Sequence, residues 1–319
     1  MIKIKKELIY PVGEGPTESC HASTLVKLRD GRILTAWFGG THEKADDVEI
    51  WYSIRDPEKG GWETPVRISE PSDTACWNPV LSERDGTVTL WYKRGKTIAG
   101  WQTFFRQYCE ADGTWSEERE AVPGDLSGGR GPVKNKPVLL RDGTLIAGAS
   151  HESPDGKIWR AFADLSPDGG LTWERTGYLE TDSGVRLIQP AIWESDTGVH
   201  MLLRSSGGFV YRADSSDAGR TWSKAYPTGM PNNNSGIDLV RMGDGTLALV
   251  CNPVGEDWGA RSPVSLFLSR DDGKNWEKAL DLMTGEGEYS YPAVIEADGK
   301  LHITFTWQRK SVMYCEAEL

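Results

Sequence analysis

The protein has 319 residues, of which 38% are hydrophobic and 14 are tryptophan, so the chain can bury a sizeable core. Its formal net charge of −11 argues against a nucleic-acid partner, because phosphate binding needs a basic face. The chain contains no apolar stretch of about 18 residues, so neither a membrane span nor a membrane partner is predicted.

The chain begins with a segment of strand length, IKIKKELIY (2–10), which alternates or runs apolar. It lacks a long apolar region followed by a small-residue cleavage site, so no signal peptide is predicted there. The five cysteines are odd in number and show neither CxxC spacing nor a disulfide framework. Together these features predict a protein of the reducing cytoplasm.

Six copies of a hairpin pattern follow along the chain. Each copy has an apolar run, an Asp-Gly turn and a second apolar run, and the copies recur roughly every 50–57 residues. Asp-Gly accepts the positive φ of a tight turn between antiparallel strands, and only the fourth copy interrupts this pair, with Thr197. The copies cover residues 24–34, 79–90, 137–146, 190–201, 238–249 and 292–303.

A second repeat, the Asp-box, lies between the later hairpins and follows the pattern Ser-x-Asp-x-Gly-x-Thr-Trp. Clear copies occupy 166–173, 215–222 and 269–276, and decayed copies occupy 53–62 and 110–115. In this pattern the Asp caps its own turn, the Gly adopts a positive φ and the Trp is buried between sheets. We therefore expect Asp168, Asp217 and Asp271 to serve the fold and not the chemistry.

Six hairpins with interleaved turns predict an all-β fold, a six-bladed β-propeller that forms a single domain over residues 1–319. The last sheet lacks an Asp-box and has only SVMYCEAEL (311–319) after its hairpin. We predict that residues 2–10 supply the missing strand, so that the two terminal strands close the ring and cover the sheet edges.

Polar residues stand at the strand ends opposite the Asp-Gly turns in all six repeats. In an antiparallel sheet the start of each first strand and the end of each second strand meet on one face. Solvation explains a single polar strand end, but it does not explain long polar side chains at matched positions around one axis. The main residues of this predicted funnel are His21, Asn78, Lys134, Lys136, Gln189, Arg204, Asn234, Tyr291 and Arg309.

The Asp-boxes, the number of repeats and the strand-end residues together resemble the sialidase (neuraminidase) superfamily with its BNR (Asp-box) repeats, over nearly the whole chain. In sialidases three arginines bind the sugar carboxylate, a Tyr paired with a Glu is the nucleophile, and an Asp is the acid/base. By this resemblance Arg204 matches the second arginine, Arg261 the third, and Tyr289 in EYSYPAV the nucleophile. Lys134 and Lys136 are expected to add positive charge.

Several positions depart from the sialidase pattern. His21 in SCHAST stands where the first arginine is expected, and Gln189 stands where the tyrosine's Glu partner is expected. Because Gln cannot accept a proton, the tyrosine needs another base, and His21 can serve. The loop GGTHEKADDVEIW (39–51) offers Glu43, Asp46 or Asp47 as the acid/base.

Other chemistry is disfavoured, because the sequence has no HExxH or other metal spacing, no Walker spacing and no GxSxG elbow. We therefore predict neither a metal nor a cofactor. Three functions stay open, each with an acidic sugar or oligosaccharide as partner. They are a sialidase-like exo-glycosidase, a uronate-directed glycosidase or polysaccharide lyase, and a non-catalytic carbohydrate-binding propeller. A lyase needs a base and cations but no Tyr–Glu pair.

Overall fold

The computed structural model describes residues 2–70, 72–182 and 184–319. This part of the chain forms 25 β-strands and one short 3-10 helix (Ile98–Gly100), and the strands form six antiparallel sheets. Within the described residues, no helix has the length and apolar character needed to cross a membrane. All five cysteines are free thiols, and only Cys109 is exposed.

The six sheets follow one another along the chain as blades. Blade 1 contains β2 (Ser19–Lys27), β3 (Ile33–Gly40), β4 (Glu49–Arg55) and β5 (Val66–Arg67). Blade 2 contains β6 (Cys76–Arg84), β7 (Thr87–Arg94) and β8 (Gln102–Cys109), with β9 (Thr114–Trp115) and β10 (Arg119–Glu120) paired to β8. Blade 3 contains β11 (Val138–Leu139), β12 (Leu145–Glu152), β13 (Trp159–Ser166) and β14 (Glu174–Arg175).

The remaining three blades complete the ring. Blade 4 contains β15 (Leu187–Ser195), β16 (Gly198–Ser205), β17 (Phe209–Ser215) and β18 (Tyr226–Pro231). Blade 5 contains β19 (Asp238–Arg241), β20 (Leu247–Cys251), β21 (Val264–Ser269) and β22 (Glu277–Met283). Blade 6 contains β23 (Tyr289–Ala297), β24 (Lys300–Trp307), β25 (Ser311–Glu318) and, as its outer strand, β1 (Lys3–Leu8).

The termini close the ring as the repeats predicted. Strand β1 pairs antiparallel with β25, from Lys3 opposite Glu318 to Leu8 opposite Met313. The outer edge of β25 is thereby covered by a strand from the other end of the chain, which removes a site for edge-to-edge aggregation. The predicted all-β fold, a six-bladed β-propeller, is confirmed.

The turns at 166–173, 215–222 and 269–276 share a hydrogen-bond pattern. Asp168 accepts hydrogen bonds from the Ser166 hydroxyl at 2.8 Å and the Thr172 backbone N–H at 2.9 Å. Asp217 and Asp271 make the equivalent contacts in their own turns. Trp173 packs in one cluster with residues of blade 2 and of blade 3. These turns therefore hold neighbouring blades together.

The first strand of each blade in chain order is its inner strand. In five of the blades a residue with a positive φ lies at or near the start of this inner strand. In four of these blades the pairing of the inner strand shifts its register at the same point. Such a bulge redirects a side chain, and strained backbone of this kind is typical of functional sites. The five residues are Ala22, Asn78, Gln189, Asn234 and Tyr291, with φ between 43° and 57°.

Candidate functional site

A cavity of about 500 Å³ opens on the face where the inner strands begin. Its walls are the starts of inner strands, the ends of the second strands and the loops that follow them. No described residue of the three clear Asp-box turns lines it. Seven residues selected from the sequence line this cavity, namely His21, Glu43, Asn78, Gln189, Arg204, Arg261 and Tyr291.

Arg204 is a buried cation that has no ionic partner among the described residues. It is the penultimate residue of β16 and is only 3% exposed. Its guanidinium donates hydrogen bonds to Asn234 Oδ1 (2.8 Å), to Gln189 Oε1 (3.3 Å) and to the Tyr291 hydroxyl, all of which are neutral groups. Within the described residues, no carboxylate oxygen lies within 4.0 Å of its nitrogens. Because burying an unpaired charge is costly, the site favours an incoming anion.

A second cationic group surrounds Glu288. Arg261 Nη1 lies 2.7 Å from Glu288 Oε1, and Arg309 Nε lies 2.9 Å from the same oxygen. Arg309 also reaches Glu43, with Nη1 2.7 Å from Oε2. Burial alone would raise the pKa of Glu288, but the two arginines hold this pKa below its usual range. Sequence reasoning missed Glu288, although it directly precedes an inner strand like the other funnel residues.

His21 is 2% exposed and lines the cavity. Its Nδ1 lies 2.7 Å from the hydroxyl oxygen of Thr306, which also accepts the backbone N–H of Ala22. Burial lowers the pKa of His21 well below its usual value, and the positive charges of three arginines and Lys134 lower it further. His21 is therefore neutral at pH 7 and, in these surroundings, a weak base.

Glu152 is a cavity carboxyl that sequence reasoning placed at a strand end of the funnel without assigning it a catalytic or binding role. It ends β12, directly after His151, so its only sequence signal is its place at a strand end. Burial raises the pKa of Glu152, while the charges of Arg204, Arg186 and Lys44 oppose that rise. Its carboxyl has no hydrogen-bond partner among the residues the structure describes. A protonated carboxyl in this position can act as an acid toward a bound molecule.

The cavity has two aromatic walls. Trp77 and Trp101 stack with their ring centroids 6.1 Å apart, and Phe38 meets Trp77 edge-on at 5.4 Å. On the opposite side the Arg204 guanidinium lies 5.5 Å from the ring of Trp159 and 5.7 Å from that of Trp258. Apolar walls with a few convergent charged groups are typical of sites for small organic ligands.

Tyr289 and Asp47, both selected from the sequence, do not line the cavity. Tyr289 is 5% exposed, and its hydroxyl donates to the Glu286 carbonyl at 3.1 Å. Asp47 accepts two hydrogen bonds from the backbone N–H of Thr41 within its own loop. The tyrosine that reaches the cavity is Tyr291, because the bulge at Tyr291 turns this side chain inward.

Lys134 and Lys136 cross the axis and do not line the cavity. Lys134 Nζ donates to the carbonyls of Ile237 (2.7 Å) and Pro292 (2.5 Å), which connects blade 3 to blades 5 and 6. Burial lowers the pKa of Lys134 to about 7. Lys136 Nζ lies 2.8 Å from Asp238 Oδ2. Both lysines therefore join blades across the centre of the ring.

Asn234 and Arg309 lie directly behind the cavity wall. Asn234 contacts Arg204 through its Oδ1 and donates through its Nδ2 to Asp257 at 2.8 Å, so it ties the arginine to the loop that carries Trp258. Arg309 holds the cavity residue Glu43. Among the residues described, no group of three or more His, Cys, Asp or Glu side chains is arranged to hold a metal ion.

Comparison with protein families adds one clear match. The family described as the BNR repeat-like domain matches residues 31–303, which is most of the chain. Among proteins of curated function, none matches the chain significantly.

Solved structures share the propeller. A protein of unknown function from Dyadobacter fermentans has a TM-score of 0.82 and 14% identity, over 100% of this chain and 99% of its own. A Hadza microbial sialidase has a TM-score of 0.79 and 18% identity, over 98% of this chain and 68% of its own. For Trypanosoma rangeli sialidase in complex with the inhibitor DANA, the TM-score is 0.77 and the identity 14%. This match covers 98% of the present chain and 59% of the sialidase. At these identities the likeness shows a sialidase-like fold and nothing finer.

Proposed function

The chain belongs to the BNR repeat-like domain family, and from this premise we propose that it is a glycan-active enzyme, an exo-glycosidase that hydrolyses a terminal acidic sugar. The observation that carries the proposal is the buried Arg204, whose hydrogen-bond partners in the described part of the chain are all neutral, inside a cavity that also holds the carboxyl of Glu152. A sugar carboxylate would supply the negative charge that Arg204 lacks. Trypanosoma rangeli sialidase, of the same fold, has been crystallised with sialic acid, an acidic sugar, which supports this substrate class.

Two carboxyl groups with different surroundings fit acid-assisted hydrolysis. In the proposed reaction Arg204 and Arg261 bind the sugar carboxylate. Glu152, whose pKa is raised by burial, gives its proton to the glycosidic oxygen as the C–O bond breaks. Glu43, ion-paired with Arg309, takes a proton from the water whose oxygen adds to the anomeric carbon.

A specific observation favours a lyase as the second candidate. His21 is neutral, and its ring centroid lies 4.1 Å from that of Tyr291. A bound carboxylate would offset part of the positive charge around His21 and raise its pKa again, so the substrate itself would make His21 a better base. In this reaction His21 removes the proton next to the carboxylate and the leaving sugar departs, which creates an unsaturated product.

The test uses sialosides and uronides, each offered as a disaccharide and as a 4-nitrophenyl glycoside, with products identified by mass spectrometry. Glu152→Gln should lower kcat/KM for the disaccharide by about 10²–10⁴-fold, the usual contribution of a general acid. The loss for the nitrophenyl glycoside should be under about tenfold, because this leaving group needs little protonation. Glu256→Gln removes an exposed carboxyl of the loop that carries Trp258 and serves as the matched control.

Three outcomes would contradict the proposed hydrolysis. Equal losses for both kinds of substrate would remove Glu152 from the role of acid. A product that absorbs in the near ultraviolet would identify a lyase. Binding without turnover of any panel member would identify a carbohydrate-binding propeller.

A further inference from the structure

A groove of about 370 Å³ adjoins the cavity on blade 3. It lies between the start of β13 and the residues that follow β14, and these following residues include Tyr178 and Arg186. Trp159 lines both the cavity and the groove, so the two spaces share this side chain as a wall. The groove therefore lies directly beside the cavity, on the other side of Trp159.

The groove is cationic, although the chain as a whole carries a net charge of −11. Lys157, Arg160 and Arg186 line it, and Glu180 is the one carboxylate among its described lining residues. Arg160 is exposed and forms no ion pair with a described residue. Arg186 lies 3.7 Å from Asp257, a partly exposed contact. Positive charge concentrated in a concave surface attracts anions locally.

Aromatic rings hold two of these cations in place. The Arg186 guanidinium lies 4.5 Å from the ring of Trp159, and the Arg160 guanidinium lies 5.2 Å from the ring of Tyr178. The Tyr178 hydroxyl is fixed in turn by His151 Nδ1 at 2.7 Å. Guanidinium groups stacked on aromatic rings keep their hydrogen-bonding edges free for carboxylates.

We propose that this groove is a second subsite, which binds the carboxylate of the next sugar in an acidic oligosaccharide whose terminal sugar fills the cavity. Charge complementarity and the wall shared with the cavity at Trp159 identify this occupant. The inference rests on the proposed function, and it narrows the substrate from a lone acidic sugar to an oligomer with repeated carboxylates. Arg160 and Arg186 supply the contacts to the second carboxylate.

The test measures affinity against chain length with the full-length Glu152→Gln variant, in which turnover is expected to be slow. The probes are the monomer, dimer and tetramer of sialic acid, of galacturonic acid and of mannuronic acid, with neutral chito-oligosaccharides for comparison, measured by titration calorimetry. For an acidic series that binds, the dimer should bind about tenfold tighter than the monomer or more. Adding Arg160→Ala should remove most of this gain and leave the monomer affinity within about twofold. Arg220→Ala, an exposed arginine of an Asp-box turn, is the control for lost charge.

Each of the other outcomes rejects the subsite, the proposed function or both. A length-dependent gain that survives Arg160→Ala, or that neutral chains share, rejects the groove as an anion subsite. If Arg204→Ala abolishes monomer binding while Arg160→Ala has no effect, the proposed function stands and the subsite does not. If Arg160→Ala removes the gain while Arg204→Ala binds acidic and neutral monomers alike, the subsite stands and the proposed function fails. If no acidic probe binds, both are rejected.

Discussion

Arg204 illustrates how a single residue links burial to specificity. Replacing it by Ala should lower kcat/KM for an acidic substrate roughly 10–150-fold, because a charge-assisted hydrogen bond contributes about 1.5–3 kcal/mol. Arg204→Lys should restore only part of this, since Lys keeps the charge but lacks the planar fork. Steady-state kinetics with an acidic sugar and its neutral analogue measure both effects. Equal losses for acid and analogue would show that Arg204 does not bind a carboxylate.

The two tyrosines of EYSYPAV form a matched pair for mutation. Tyr291→Phe removes a hydroxyl that contacts Arg204 in the cavity, so kcat/KM should fall about tenfold or more. Tyr289→Phe removes a hydroxyl whose hydrogen bonds are to the Glu286 carbonyl and Gln308, so activity should stay within about threefold. Kinetics of the two variants side by side test this. A deeper loss for Tyr289→Phe would restore it as the nucleophile.

The surroundings of Glu152 also predict how kcat/KM depends on pH. The raised pKa of Glu152 keeps its carboxyl protonated to a higher pH than an ordinary glutamate, and only the protonated form can act as an acid. The value of kcat/KM should therefore fall as the pH rises through this raised pKa. A pH–rate profile measures this limb, and Glu152→Gln should lack it. The same limb in the variant would assign it to another group.

Sequence reasoning found several cavity residues because their position at strand ends decides the face of the ring on which they lie. His21, Gln189 and Arg204 stand at strand ends, so the repeat pattern carries them to the correct face. It could not foresee which of Tyr289 and Tyr291 turns inward, because the bulge at Tyr291 breaks the alternation of the strand. Nor could it foresee that Lys134 reaches across the axis, since that contact joins residues far apart in the chain. The catalytic and binding roles of these residues stay predictions.

At the scale of elements, the Asp-box turns predict how stability depends on pH. Hydrogen bonds from the Thr221 side chain and the Asn275 backbone lower the pKa values of Asp217 and Asp271 to about 2. Their stabilising effect is complete above the unfolded pKa near 4 and is lost as the pH falls through about 2. Thermal melts between pH 5 and pH 2 should show Tm decreasing, with a shallower decrease for Asp217→Asn.

Mutation of an Asp-box turn should lower stability and leave catalysis unchanged. Asp217→Ala should lower Tm by roughly 2–6 °C at pH 7, because the Thr221 and Ser215 groups lose their acceptor. Turnover per folded molecule should be nearly unchanged, since no residue of this turn lines the cavity. Calorimetry and kinetics on the same sample make the comparison. A large loss of turnover at unchanged Tm would contradict the structural role of the turn.

The interrupted fourth hairpin turn has a structural explanation. The hydroxyls of Ser195 and Thr197 donate to Asp272 Oδ2 at 2.8 and 2.7 Å, and Asp272 belongs to the Asp-box turn of blade 5. Thr197 Oγ1 also lies 2.9 Å from His200 Nε2. The departure from Asp-Gly at this turn thus provides a polar connection between blades 4 and 5.

At the scale of the whole molecule, strand β1 protects an edge. Deletion of residues 1–10 should expose the free edge of β25 and cause concentration-dependent aggregation. Light scattering and size-exclusion chromatography measure this, and adding the peptide of residues 2–10 back in excess should reduce it. A deletion variant that stays monomeric and melts like the full chain would show that the pairing contributes little.

The propeller could be predicted from the sequence because the pattern of one blade recurs along the chain. Six hairpins and three clear Asp-boxes report the same unit, so the degenerate turn around Thr197 did not obscure the blade count. The cavity has no such redundancy. Each blade contributes a different side chain to it, and therefore a single deviation in backbone geometry changes which residue arrives there.

Lys134 has a consequence for how the protein folds. Its ammonium contacts carbonyls 103 and 158 residues further along the chain, so these contacts cannot form before blades 5 and 6 are in place. Until then the amino group keeps its water, and only the completed ring supplies the two carbonyls that take the place of that water. We therefore expect the centre to become ordered late on the folding pathway, so that loss of the Lys134 contacts should speed unfolding more than it slows folding.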